Sequence, residues 1–432
     1  MKLLLKNGTV IDPKTNKNDI LDVLIDGRQI SEIGRNIAEK DAQVINTKGM
    51  IIAPGLVDVH VHFREPGQEY KETIESGSHS AAVGGFATVV MEPNTFPPVD
   101  SPSKIAKTLE IARNTGIVNV YTKACISKGM SGERLVDVKA VKKAGAVAIS
   151  DDGNPVAGKK LMLHALRESK KANTVVSPHC EESKFYRDKM KLKLKKKKQL
   201  RYFQNTKKPY CLEADLIKRD IKLAKITGAK LHISHVSFAE SVKMIANAKN
   251  DEINITAEVT PHHLLLTEND AKEIGTYAKV NPPLRNKSDV EAVKEGLING
   301  TIDIIASDHA PHSVQEKALP WDKALFGLIG LETTLALILT YLVKPGLLTM
   351  SQAIEKMSVL PAKIFGLRAG SLALGSKADI TIIDPKKKWT IDTSKFYSKA
   401  RNCPFDGWEV QGKAVMTIVK GRVIMKEGKI IA

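Results

Sequence analysis

The sequence predicts an α/β protein: a TIM-like (β/α)8 barrel carrying a small β-sandwich domain built from both chain termini. Three observations predict it. Eight short apolar runs alternate through the middle of the chain with amphipathic stretches. Both ends speak a different grammar, strand–turn–strand. The length, 432 residues, holds a barrel with insertions and a second, smaller unit.

The first part of the sandwich is residues 1–53. "LLLKNGTVID" and "DVLIDGRQISEIG" alternate apolar and polar residues around Gly and Asn-Gly turns, the pattern of short paired strands. The barrel follows over residues 54–365. Its eight strands are expected at "LVDVHVHF", "FATVVME", "VNVYTKA", "AVAISDD", "TVVSPHC", "KLHISHV", "INITAEV" and "IDIIASD". Helices are expected between most of them, at 69–83, 159–172, 214–226 and 239–249. The basic run "DKMKLKLKKKKQLRYFQNTKK", 188–208, falls between the fifth and sixth strands and reads as an insertion in a βα loop. "SVQEKALPWDKALFG", 313–327, follows the last strand and reads as a lid over the barrel mouth. Residues 366–432 return to the first grammar in "GSKADITIID" and "AVMTIVKGRVIMKEGKII", and complete the sandwich.

Composition narrows the function. The chain is 42% hydrophobic and 26% charged, as soluble globular proteins are. Its most apolar stretch, "LFGLIGLETTLALILTYLV", is broken by Glu, Gly and Thr, so no membrane span is expected. The N-terminus has no signal-peptide pattern, and the expected compartment is the cytoplasm. Cys125, Cys180, Cys211 and Cys403 form no CxxC pair, which argues against a disulfide framework and a thiolate zinc site. The net charge of +18 raises nucleic-acid binding, but a lysine-rich enzyme surface fits as well. No nucleic-acid signature surrounds the basic run, so that function is set aside.

The chemistry-bearing residues fall at strand ends, where barrels of this type do their chemistry. His60 and His62 close the first strand, Asn94 follows the second, and Asp151 and Asp152 close the fourth. His179 closes the fifth, His232 and His235 lie in the sixth, and Asp308 and His309 close the eighth, with His312 beyond. Strand residues two apart point the same way, so His60 and His62 aim at one point while Val61 turns into the helix packing. A lone histidine is more often a hydrogen-bonded core residue than a ligand. Several imidazoles and carboxylates converging at one rim favour a metal. Imidazole with carboxylate and no thiolate suits catalytic Zn²⁺. Four histidines and two aspartates exceed one zinc's needs and suit two metals bridged by a carboxylate, which lower the pKa of water towards ~7. Arg64 adds a group shaped to grip a carboxylate through two parallel hydrogen bonds.

The segments "DVHVHFREPG", "MEPNT", "SDDGNPV", "HCEE", "HISHVS", "TPHHLLLT", "VNPPLR", "ASDHAPH" and "FGLIGLET" together resemble the class I dihydroorotases of the amidohydrolase superfamily. The resemblance implies the zinc-dependent, reversible cyclisation of N-carbamoyl-L-aspartate to L-dihydroorotate in de novo pyrimidine synthesis. It implies one zinc on His60, His62, Asp152 and Asp308 and a second on Asp152, His179 and His235, bridged by Asp152. Substrate would meet His62, Arg64, Asn94, Asn281, His312 and the Phe326–Gly327 backbone, with Asp308 as catalytic proton shuttle. Many relatives bridge their metals with a carboxylated lysine where this chain has "SDDG". Either Asp151 or Asp152 is then the bridge, with spacing favouring Asp152, and His235 is favoured over His232. His262 and His263 would support the site without ligating. Dihydropyrimidinase, hydantoinase and allantoinase are the alternative activities. Assembly with aspartate carbamoyltransferase is the partner the family suggests.

Overall fold

The computed structural model describes residues 2–181 and 212–431, so the basic run 188–208 and Cys211 lie outside the described residues. Eight parallel strands form the barrel wall. β6 (Leu56–Val61), β7 (Phe86–Met91) and β8 (Asn119–Thr122) pair in that order. β9 (Ala148–Ile149), β10 (Val175–Val176), β11 (Lys230–Ile233), β12 (Ile255–Val259) and β13 (Ile304–Ile305) form the other arc. Single parallel bridges, Ala124 to Ile149 and Val61 to His309, close the ring. Each strand grows from one of the eight apolar runs. Several are only two residues long, because the chain leaves the ladder early to form the mouth.

Helices Ile74–Val83, Pro102–Thr115, Val138–Lys143, Lys159–Lys171, Leu212–Thr227, Ala239–Asn250 and Lys287–Ile298 lie between successive strands. The first begins at 74 rather than 69, where a reciprocal Thr73–Ser76 capping box satisfies its free N–H groups. Val61, Ile74, Ala81 and Phe86 share one apolar cluster, so the strand–helix layer is dry.

The second unit is one nine-stranded sheet drawn from both ends of the chain. β1 (Lys2–Asp12) pairs antiparallel with β2 (Lys17–Asp26), which pairs with β3 (Gln29–Gly34). On its other edge β1 takes β4 (Ala42–Asn46) along its first half and β5 (Ile51–Pro54) along its second. A bulge between Leu5 and Gly8 marks the change of partner. A Cβ at Gly8 would come within 2.6 Å of Ile52 and Thr47, so only glycine lets the two halves meet. β14 (Ile380–Thr390) joins β5 and carries β15 (Glu409–Val419), β16 (Arg422–Lys426) and β17 (Lys429–Ile430). Leu3, Val10, Val23, Ile25, Ile52, Ile380 and Ile418 fill the sandwich core.

The stretch between β14 and β15 leaves the sheet and braces the barrel mouth. Asn402 donates to the carbonyls of Ala310 and Gly327, at 3.2 and 3.0 Å. Glu332 accepts the backbone N–H groups of Tyr397 and Ser398, at 3.2 and 3.1 Å. Burial pushes the Glu332 carboxyl up to about 7. The native state therefore keeps a proton that the unfolded chain releases near pH ~4.3. Stability is lost as pH rises from there through about 7. Glu332→Gln is neutral at every pH, so its melting temperature relative to the parent should climb from pH 5 to pH 8. The full gain is on the order of 3 kcal/mol. A difference that stays flat across that range would show that the native carboxyl is ionised throughout.

Among the described residues, no helix is long and apolar enough to cross a membrane. Cys125, Cys180 and Cys403 are buried and unpaired.

Candidate metal centre

β6 carries His60, and His62 follows directly after its last residue, Val61. The strand's pairing with β7 shifts between Asp58 and Val61, yet His60 and His62 still meet, ring centroids 5.4 Å apart. The Asp58 carboxylate accepts the N–H groups of His60 and Ser307, which ties β6 to β13 beneath the pair. Asp308, just beyond the end of β13, turns back through a left-handed backbone, φ 48°. His235 does the same just after β11, φ 33°, and Arg64 after β6, φ 61°. Three site residues thus sit in a conformation that non-glycine residues seldom adopt and that clusters at functional sites.

The six side chains converge. Asp152 Oδ1 lies 3.5 Å from His60 Nε2, 3.3 Å from His179 Nδ1 and 3.4 Å from His235 Nε2. Its Oδ2 lies 3.5 Å from His62 Nε2. Asp308 Oδ1 stands 3.1 Å from His62 Nε2 and 3.5 Å from His60 Nε2. Two groups therefore offer ligand atoms within 4.8 Å of one another: His60, His62 and Asp308, and His60, Asp152 and His235. Tetrahedral ligands about 2.1 Å from an ion stand about 3.4 Å apart, so these spacings suit ligands around a metal. His60 Nε2 and Asp152 Oδ1 are buried without a hydrogen-bond partner at the centre of the cluster. Burial raises Asp152 and Asp308, but the imidazoles around them outweigh it and hold both carboxyls below the usual range. Both are anions ready to ligate.

The structure separates the neighbours that sequence leaves open. Asp151 turns away from the cluster and accepts the backbone N–H groups of Ile126 and Ser127 and the Ser127 hydroxyl. His232 is spent as well, Nδ1 on Thr256 Oγ1 at 2.8 Å and Nε2 on Glu258 Oε2 at 2.9 Å. Glu258 also bonds His60 Nδ1, which leaves His60 Nε2 facing the centre. Sequence reasoning missed Glu258. Its signal was a lone acid inside the apolar run "INITAEV". His262 and His263 are buried nearby, and His263 bonds Thr260 and the Pro282 carbonyl.

The predicted substrate residues ring the same mouth. Asn94 Oδ1 accepts from His62 Nδ1 at 2.9 Å, and the Asn281 amide nitrogen lies 2.8 Å from His179 Nε2. Arg64 is buried and donates from Nε to the Pro311 carbonyl at 3.2 Å, with Nη2 3.3 Å from His312 Nε2. Burial, with Arg64 and Lys71 alongside, pushes His312 down to about 3, so its ring is neutral. It bonds the Phe326 carbonyl at 2.7 Å. Gly327 adopts φ 137°, and a Cβ there would meet the Ala310 carbonyl at 2.7 Å. Lys71, also missed from sequence, reaches His312 Nδ1 at 3.4 Å and Glu316 at 3.0 Å. Among the described residues no carboxylate lies within 4 Å of Arg64, whose partners are a carbonyl and an imidazole.

Comparison with known proteins gives a consistent picture. A profile described as the amidohydrolase family matches residues 51–424. A dihydroorotase of Acetivibrio thermocellus is 45% identical over 98% of this chain and 99% of its own. One from Syntrophus aciditrophicus is 43% identical over 99% of this chain and all of its own. One from Lactococcus lactis is 43% identical over 98% of this chain and 99% of its own. Among solved structures, an L-hydantoinase (dihydropyrimidinase) from Arthrobacter aurescens superposes with a TM-score of 0.89 at 28% identity, covering 100% of this chain and 97% of that one.

Proposed function

The chain belongs to the amidohydrolase family and, within it, to the dihydroorotases, and from that premise we propose that its barrel mouth holds two zinc ions. The reaction is the reversible cyclisation of N-carbamoyl-L-aspartate to L-dihydroorotate in pyrimidine synthesis. His60, His62, Asp152 and Asp308 would hold one ion, and Asp152, His179 and His235 would hold the other. When bound, the ions polarise the reacting carbonyl and lower the pKa of water.

The protein's own groups do the rest. Arg64 and neutral His312 grip the substrate carboxylate, with Asn94, Asn281 and the Phe326–Gly327 backbone completing the cradle. In the hydrolytic direction Asp308 takes a proton from the attacking water and delivers it to the departing ring nitrogen. In the synthetic direction it takes that nitrogen's proton as the ring closes and passes it to the departing carboxyl oxygen, which leaves as water. Cytoplasmic location and assembly with aspartate carbamoyltransferase, which makes carbamoyl-aspartate, belong to the same reading.

The observation that carries the substrate assignment is Arg64: a buried guanidinium beside the ligand cluster that, among the described residues, has no carboxylate within 4 Å. Such a group calls for an anionic ligand. Hydantoin, dihydrouracil and allantoin carry no carboxylate. An assay of all three beside dihydroorotate should find dihydroorotate turned over far faster. Arg64→Met should raise KM for it by ~30-fold or more, since unpairing a buried charge contact costs about 2–5 kcal/mol. Equal rates on hydantoin, or an unchanged KM in the variant, would overturn the assignment.

A further inference from the structure

Two lysines near the mouth have no carboxylate within ion-pair distance among the described residues, and both spend their ammonium groups on backbone carbonyls. Lys317 closes the short helix Val314–Lys317 and is fully buried. Its Nζ donates to the carbonyls of Leu325 and Gly327, each at 2.9 Å, and of Lys279 at 3.4 Å. Lys279 Nζ donates to the carbonyls of Trp321 and Ala324 and lies 4.4 Å from the centre of the Phe326 ring. The Gly327 N–H returns to the Lys279 carbonyl at 2.9 Å, and Thr276 Oγ1 donates to the Lys317 carbonyl.

The two ammonium groups thus stand inside segment 318–327 and hold its shape. That segment has no strand or helix to satisfy its carbonyls. Buried carbonyls without donors are costly, and burying an ammonium without an acid is costly too. Each cost is offset by the other: an ammonium has three donors and no acceptor, so it can gather several carbonyls around one point. A neutral amide has two N–H donors, so it could not hold the three carbonyls that Lys317 gathers. The carbonyls gathered are those flanking Phe326 and Gly327, and the Phe326 carbonyl is the one His312 bonds.

We propose that Lys317 and Lys279 are positioning residues for substrate: their carbonyl clamp sets the backbone of Phe326–Gly327 and, through it, the His312 ring. This rests on the reading that this backbone and His312 meet the substrate carboxylate. Neither lysine needs to touch substrate or metal.

The test uses Lys317→Met and Lys279→Met, the latter as a second variant should the former fail to fold. Each is assayed for kcat and KM with dihydroorotate, for zinc content, and for chymotrypsin cleavage mapped by fragment mass. Leu319, Trp321, Leu325 and Phe326 are exposed cleavage sites in the segment. Losing several carbonyl partners should raise KM and speed cleavage within 318–327 by ~10-fold or more, with kcat and zinc content close to the parent's. Cleavage at the parent's rate overturns the clamp. So do cuts scattered over the whole chain, or a fall in kcat at unchanged KM. A separate arm measures whether dihydroorotate slows cleavage of the parent protein. If it does not, the fault lies in placing substrate at this backbone, and the clamp stands or falls on the cleavage rates of the variants.

Discussion

Asp308→Asn should keep its zinc and lose turnover by ~100-fold or more, with KM for dihydroorotate near the parent's. The structure argues for both halves. Asp308 lies in the left-handed region, which asparagine also tolerates, so the backbone need not move. The amide keeps an oxygen where Asp308 Oδ1 faces His60 and His62, at 3.5 and 3.1 Å, so the proposed ligand contact keeps its oxygen. Arg64, His312 and Asn281, the proposed substrate contacts, are untouched, so substrate should still bind. What the amide cannot do is accept a proton at one moment and release it at the next. Zinc per chain and single-turnover rates on the same sample separate the outcomes. Loss of zinc together with activity, restored by excess zinc, would make Asp308 a ligand without a proton-transfer role. Near-full turnover with zinc retained would remove it from the chemistry.

Much of the fold was legible because the pattern that encodes it is local. Each of the eight apolar runs became a barrel strand, and Gly- and Asn-Gly-punctuated runs at both ends became the sandwich. Asn402 shows what was not legible. It lies in a stretch that reads as sandwich sequence, yet it bonds Ala310 and Gly327, 92 and 75 residues away. Nothing local announces such a contact. The site divides along the same line. That His60 and His62 share a target follows from strand periodicity and survived a shift in register. The choice between Asp151 and Asp152 does not follow, because both lie beyond the two-residue strand β9 and alternation no longer applies. The choice between His232 and His235 depends on a left-handed turn at His235 that no β-strand pattern contains. Glu258 was overlooked for a related reason. A charge in an apolar run reads as an interruption until its two imidazole partners are in view.

Asp152→Ala should cost more than any other single change: zinc falls below two per chain and turnover drops to background. Among the described residues Asp152 is the one carboxylate that faces all four imidazoles, Oδ2 towards His62 and Oδ1 towards His60, His179 and His235. On the proposed reading, removing it takes the shared ligand from both ions at once and leaves Asp308, beside His60 and His62, as the remaining carboxylate of the proposed ligand set. Because metal binds the folded chain, the parent should lose thermal stability when a chelator strips it, by RT ln(1 + [L]/Kd). The Asp152→Ala protein has little such stabilisation to lose, so chelator should barely move its melting temperature. Asp151→Asn is the matched control. Asp151 serves the backbone at Ile126 and Ser127, so its loss should cost about 1–3 kcal/mol of stability while zinc content and turnover stay near the parent's. If the two variants exchanged these outcomes, with Asp151→Asn losing zinc and Asp152→Ala keeping it, the centre would have been built around the wrong carboxylate. If both kept two zinc ions and full activity, the metals would have to lie elsewhere.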